Sequence, residues 1–151
     1  FWIVGAPLFG EHDYESSLHK MTADLRVQDK VKFLGFRNDI REILEKADVV
    51  VHASTLGEPF GQVVIEGMAA GKPVIATDGG ALPEIVQSGE TGLLVPMGNA
   101  VQMSEAIAWL LADPIRAKKM GEAGRQHVMK RFTIEQTARK VEAIYDTLLV
   151  R

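Results

Sequence analysis

The chain has 151 residues, 46% of them hydrophobic and 25% charged, enough for one sizeable core and a wetted surface. A formal net charge of −3 argues against nucleic acid as a partner, because that affinity rests on clustered Lys and Arg neutralising phosphates. No apolar run approaches the roughly 18–20 residues of a membrane-spanning helix. The absence of cysteine excludes a disulfide framework, thiolate metal sites and Cys nucleophiles, and suits a reducing compartment. The opening Phe1-Trp2-Ile3-Val4 lacks the features of a signal peptide and begins inside a strand-like run without Met, so a longer parent is expected.

In chain order, Phe1–Val4, closed by Gly5 and Pro7, reads as a buried strand. Leu18, Met21 and Leu25 give helical spacing over about residues 14–26. A second strand follows from Val31 to Phe36. Asn38 then caps a short helix that turns Ile40, Ile43, Leu44 and Ala47 inward. The unbroken run Asp48–Ala53 predicts a third strand, covered on both faces. A helix is expected over Phe60–Ala70 with Gly71 as its stop. Pro73–Ala76 and Leu93–Val95 read as strands, separated by the turn-rich Asp78-Gly79-Gly80. Asn99 with Gln102, and Thr133 with Gln136, announce two C-terminal helices around a basic stretch at 114–131. Such alternation predicts a doubly covered parallel sheet in one α/β domain.

Common phosphate motifs are missing. Gly71-Lys72 runs into Pro73 rather than Ser or Thr, and Gly5-Ala6-Pro7-Leu8-Phe9-Gly10 is not G-x-G-x-x-G. His12, His19, His52 and His127 show no metal-ligand spacing and read as structural or solvated.

The informative segment runs from Ser54 to Ala76, joining the carboxyl end of a buried strand to a helix, where open α/β sheets bind ligands. Pro59 suits the first helical position, which would leave the amides of Phe60, Gly61 and Gln62 free to receive a diphosphate. Gly61 admits an anion close to the backbone. On a continuous helix, Glu58 and Glu66 stand about 12 Å apart along the axis and within about 80° of one another. That is too far for a metal pair or a glycosidase pair, and it fits a ligand with hydroxyls at both ends of a diphosphate. Each acid also has a plainer role, Glu58 as a helix-start charge and Glu66 as a solvated residue. The apolar neighbours Val63, Val64, Ile65, Met68, Ala69 and Ala70 weigh against the second.

E-P-F-G-x-x-x-x-E-G-M-A-A-G-K-P-V-I-A resembles the E-x7-E signature of retaining GT-B glycosyltransferases, the glycosyl transferases group 1 family. Asp78–Val86, Glu90–Pro96, Val31–Phe36 and Ala47–Val51 resemble the flanking blocks in the same order. The resemblance implies a Rossmann-like, C-terminal half of a GT-B architecture over 1–151, truncated at its N-terminus and without the N-terminal acceptor domain. It implies that Glu66 binds the donor's ribose hydroxyls and that Glu58 contacts the sugar near the reacting carbon, as the catalytic position. Phe60, Gly61 and Gln62 would supply backbone donors, with a side-chain role for Gln62 doubtful. The loop at Phe36 and Arg37 would read the base.

The reaction so implied moves a sugar from a nucleoside diphosphate, most readily UDP, to an acceptor hydroxyl with retention. It needs no metal and no cofactor, and the departing phosphate takes the acceptor's proton. The family's phosphate-binding Arg and Lys precede Phe1 and are absent here. The resemblance further implies a cytoplasmic enzyme, with the parent associated with the membrane face. The basic 116–131 stretch reads first as a solvated face and second as a contact for anionic lipid. Two other classes stay open: a non-catalytic nucleotide-sugar-binding module, and a UDP-sugar epimerase or phosphorylase of the same architecture. Lys72, followed by Pro73, is a poor lysine for pyridoxal phosphate.

Overall fold

The structure is a computed structural model that describes residues 1–7 and 10–149. Leu8 and Phe9 lie outside the described residues. The chain forms two compact units, Phe1–Ile40 and Arg41–Arg151.

In the first unit, β1 (Trp2–Val4) pairs in parallel with β2 (Lys32–Gly35), and α1 (His12–Asp24) connects them. The expectation of a buried first strand is not met. Trp2 is 45% and Val4 39% exposed. The reason lies in the company the strand keeps, since within its unit one partner strand and one helix cover little of its two faces. His19 of α1 lies over Phe33, ring centroids 3.8 Å apart.

The second unit holds α2 (Ile40–Lys46, its first residue closing the first unit), β3 (Val50–His52), α3 (Gln62–Ala69), β4 (Val74–Asp78), α4 (Leu82–Ile85), β5 (Leu93–Pro96), α5 (Ala100–Leu111), α6 (Pro114–Arg131) and α7 (Ile134–Leu149). Its parallel sheet runs β3-β4-β5, with Val50 opposite Val74 and Ile75 opposite Leu93. The central strand β4 is the one covered on both faces, rather than β3, whose Val51 is 37% exposed. Alternate β4 side chains feed separate cores, as a pleated strand requires. Val74 and Ala76 join Val64, Met68, Leu82, Ile85 and Val128, from α3, α4 and α6. Ile75 packs instead with Val95, Leu110 and Met120, from β5, α5 and α6. Helices therefore cover both faces of this sheet.

The helix starts follow local chemistry. Asn99 accepts a hydrogen bond from the Gln102 amide and Thr133 one from the Gln136 amide, as the sequence predicts. Asp113 caps α6 in the same way, ahead of Pro114. The apolar stripe of α7 is not covered within the described structure, and Ile144, Tyr145 and Leu148 stay exposed. Among the described residues no helix is long and apolar enough to cross a membrane.

Candidate functional site

The carboxyl ends of β3 and β4 carry the loop 53–61 and the turn 79–81, and the two loops are tied together by main chain. Glu58 pairs with Gly80 in an isolated parallel bridge, and the Ala81 amide donates to the Glu58 carbonyl at 2.8 Å. Gly80 permits this contact. Its φ is +61°, and a Cβ there would lie 2.2 Å from the Glu58 oxygen. The Gly79-Gly80 turn is thus a structural clasp on the Glu58 loop.

The start of α3 corrects the sequence reading. Gly61 is the cap, with φ +83° in the left-handed region, and the helix begins at Gln62. Pro59 and Phe60 therefore precede it, and Pro59 is not the first helical residue. A left-handed residue cannot continue a helix through positions 58–61. The 12 Å rise and 80° offset expected for Glu58 and Glu66 no longer apply, since Glu58 sits on the loop. Gly61 also needs its missing side chain, because a Cβ would lie 2.7 Å from a Leu82 methyl and 2.9 Å from an Ile85 methyl.

The amides of Phe60 and Gly61, expected to be free, are engaged. Both donate to Oε1 of Glu58, at 3.2 and 2.9 Å. The Val64 and Ile65 amides return to the Gly61 carbonyl at 3.1 Å. Among the described residues, the first-turn donors left without a partner are then those of Gln62 and Val63. Glu58 is held below the ordinary carboxylate range, chiefly by the Gly61 amide, then by that of Phe60, with His52 adding to the effect against a burial penalty. A carboxylate is thus already seated where the helix start favours negative charge.

The remaining positions divide between the two units. Glu66, half-buried on α3, accepts a hydrogen bond from Gln62 Nε2 at 3.0 Å, so the Gln62 side chain reaches the second acid. Phe36 and Arg37 belong to the first unit, just after β2. Phe36 is exposed, and Arg37 forms a two-nitrogen pair with Asp39. The residue that sequence reasoning missed is His52, the last residue of β3. Its Nε2 lies 3.3 Å from Glu58 Oε2. Its only signal was its place at the carboxyl end of a strand, six positions before the acid. Among the described residues no three His, Asp or Glu side chains come together as a metal cage requires.

The glycosyl transferases group 1 family matches residues 1–127. The chain belongs to that family. It is 32% identical over 142 residues to the N-acetyl-alpha-D-glucosaminyl L-malate synthase of Bacillus anthracis, covering 94% of this chain and 37% of that protein. To the lipopolysaccharide core biosynthesis mannosyltransferase LpsB of Rhizobium meliloti it is 35% identical over 150 residues, covering 97% and 42%. Among solved structures, Anabaena Alr3699/HepE in complex with UDP superposes with a TM-score of 0.93 at 33% identity, over 97% of this chain and 40% of that one. The same protein has been solved with UDP-glucose. The chain thus spans less than half the length of these relatives. These matches and the covered parallel sheet bear out the α/β, Rossmann-like half of a GT-B architecture read from the sequence.

Proposed function

We propose that residues 1–151 form the donor-binding domain of a retaining glycosyltransferase and take a nucleoside diphosphate sugar, most readily a UDP-sugar. The observation that carries this reading is the Glu58–Gln62 loop. A carboxylate, a glycine cap and first-turn amides meet at the carboxyl edge of a parallel sheet, in a chain of this family. In this assignment Glu66 accepts hydrogen bonds from the two ribose hydroxyls, since one carboxylate matches a vicinal diol. Glu58 faces the sugar hydroxyls, and the first-turn amides of Gln62 and Val63 receive diphosphate or sugar oxygens, those of Phe60 and Gly61 being held by Glu58. The UDP and UDP-glucose complexes of the Anabaena protein support the choice of uridine.

In the parent, the acceptor oxygen attacks the anomeric carbon from the face that the diphosphate leaves. The bond from that carbon to the phosphate oxygen breaks, and the acceptor's proton passes to the departing phosphate. Donors aimed at the diphosphate stabilise the charge that develops there. The acceptor is held outside 1–151, so this chain alone transfers no sugar at a useful rate, because positioning both reactants is worth several kcal/mol. Metal independence, a cytoplasmic location and an association of the parent with the membrane face belong to the same proposal; the cysteine-free composition supports the second.

Calorimetry with UDP, GDP and ADP, with and without EDTA, tests the reading. Binding of UDP untouched by the chelator is expected. No binding to any of the three, or binding abolished by EDTA, would overturn it.

A further inference from the structure

β3 ends on His52, so its ring emerges at the carboxyl edge of the sheet, beside the loop that carries Glu58. The side chain is 13% exposed, and Nδ1 is buried with no hydrogen-bond partner among the described residues. Nε2 faces Oε2 of Glu58 at 3.3 Å, while Oε1 of the same carboxylate takes the Phe60 and Gly61 amides. An ionised carboxylate offers only lone pairs, so Nε2 must carry the proton. The contact with Glu58 therefore sets a hydrogen on Nε2.

The carboxylate is gripped on both oxygens, by main chain on one and by imidazole on the other. Without the ring, the terminal torsion of Glu58, which is intrinsically broad, keeps only the single-oxygen hold of the amides. We infer that His52 is the positioning residue of Glu58, fixing the plane of its carboxylate for the hydroxyls of the donor sugar. This rests on the reading of Glu58 as the sugar-side acid. A histidine kept for packing alone would be replaceable by an apolar residue without any change in ligand preference.

The test compares UDP and UDP-glucose binding to the 151-residue chain carrying His52→Leu or His52→Gln. Leucine removes the donor, whereas glutamine can set an N–H near the place of Nε2. His52→Leu is expected to lower affinity for UDP-glucose about tenfold relative to UDP, the size of one lost charge-assisted hydrogen bond, and His52→Gln to recover most of it. Long-range proton–nitrogen NMR of the unliganded chain supplies the second readout, with hydrogen on Nε2 of His52. An unchanged preference in His52→Leu, an equal loss for both ligands, or a proton on Nδ1 in place of Nε2 would overturn the assignment. If the unaltered chain binds neither ligand, the functional reading falls by itself, and the tautomer still decides whether His52 holds Glu58. If Glu58→Ala loses the sugar preference while His52→Leu keeps it, only the role of His52 is lost.

Discussion

Replacing Glu66 and Glu58 by alanine separates the two ends of the proposed ligand. Among the described residues the half-buried Glu66 carboxylate has one hydrogen-bond partner, the side chain of Gln62. Its loss costs the fold little. Toward a nucleotide it would lose two hydrogen bonds from ribose hydroxyls, each worth about 1.5–3 kcal/mol to a charged acceptor. Even the lower bound, about 3 kcal/mol in total, is roughly a hundredfold in affinity. UDP and UDP-glucose should weaken together by that factor in isothermal titration calorimetry.

Glu58→Ala behaves differently in two respects. It removes the acceptor of the Phe60 and Gly61 amides, so it should destabilise the chain by about 1 kcal/mol, as loss of a helix cap does. It should spare UDP and weaken UDP-glucose, and in the full-length parent reduce turnover. Equal losses of UDP in the two variants would refute the assignment of ribose and sugar ends, even with the family intact.

Two further outcomes follow from packing and protonation. Gly80→Ala forces a left-handed residue and sets a Cβ 2.2 Å from the Glu58 oxygen, whereas Gly98→Ala, at φ +73°, meets open space. Both pay the backbone cost of about 1–2 kcal/mol, so only Gly80→Ala should exceed about 2 kcal/mol, a fall in Tm of roughly 4–8 °C by calorimetry. Equal falls would show that the Glu58 loop moves aside freely. Burial holds His127 below the ordinary histidine range, with the Arg131 cation adding to the effect. The unfolded chain therefore takes up that proton more readily, and the stabilisation present above the unfolded pKa is lost as pH falls below about 6.5. Urea midpoints at about pH 7.5 and 5.5 should drop less in His127→Gln than in the parent sequence; equal drops would contradict this.

The alternation of strand and helix, the caps at Asn99 and Thr133, and the Glu58/Glu66 segment were legible in the sequence because each depends on neighbours a few positions away. The first residue of α3 was not. Pro59 favours a helix start locally, and what overrides it is Gly61 turning left-handed against Leu82 and Ile85, some 20 positions further along. His52 was missed for a similar reason, since its role exists only once the loop brings Glu58 back onto the end of β3. The short helix at Leu82–Ile85 hid inside a segment whose glycines suggested turns alone. Apolar periodicity located β1 and α7 but carried no word on what covers them, and their side chains are exposed.

Following the backbone amides of the chain by NMR while UDP is added tests most directly whether the Glu58–Glu66 segment binds the donor. The largest shifts are expected on Phe60, Gly61, Gln62 and Glu66, and EDTA should leave them unchanged. Shifts centred on the basic face of α6, with the Glu58–Glu66 segment silent, would contradict this.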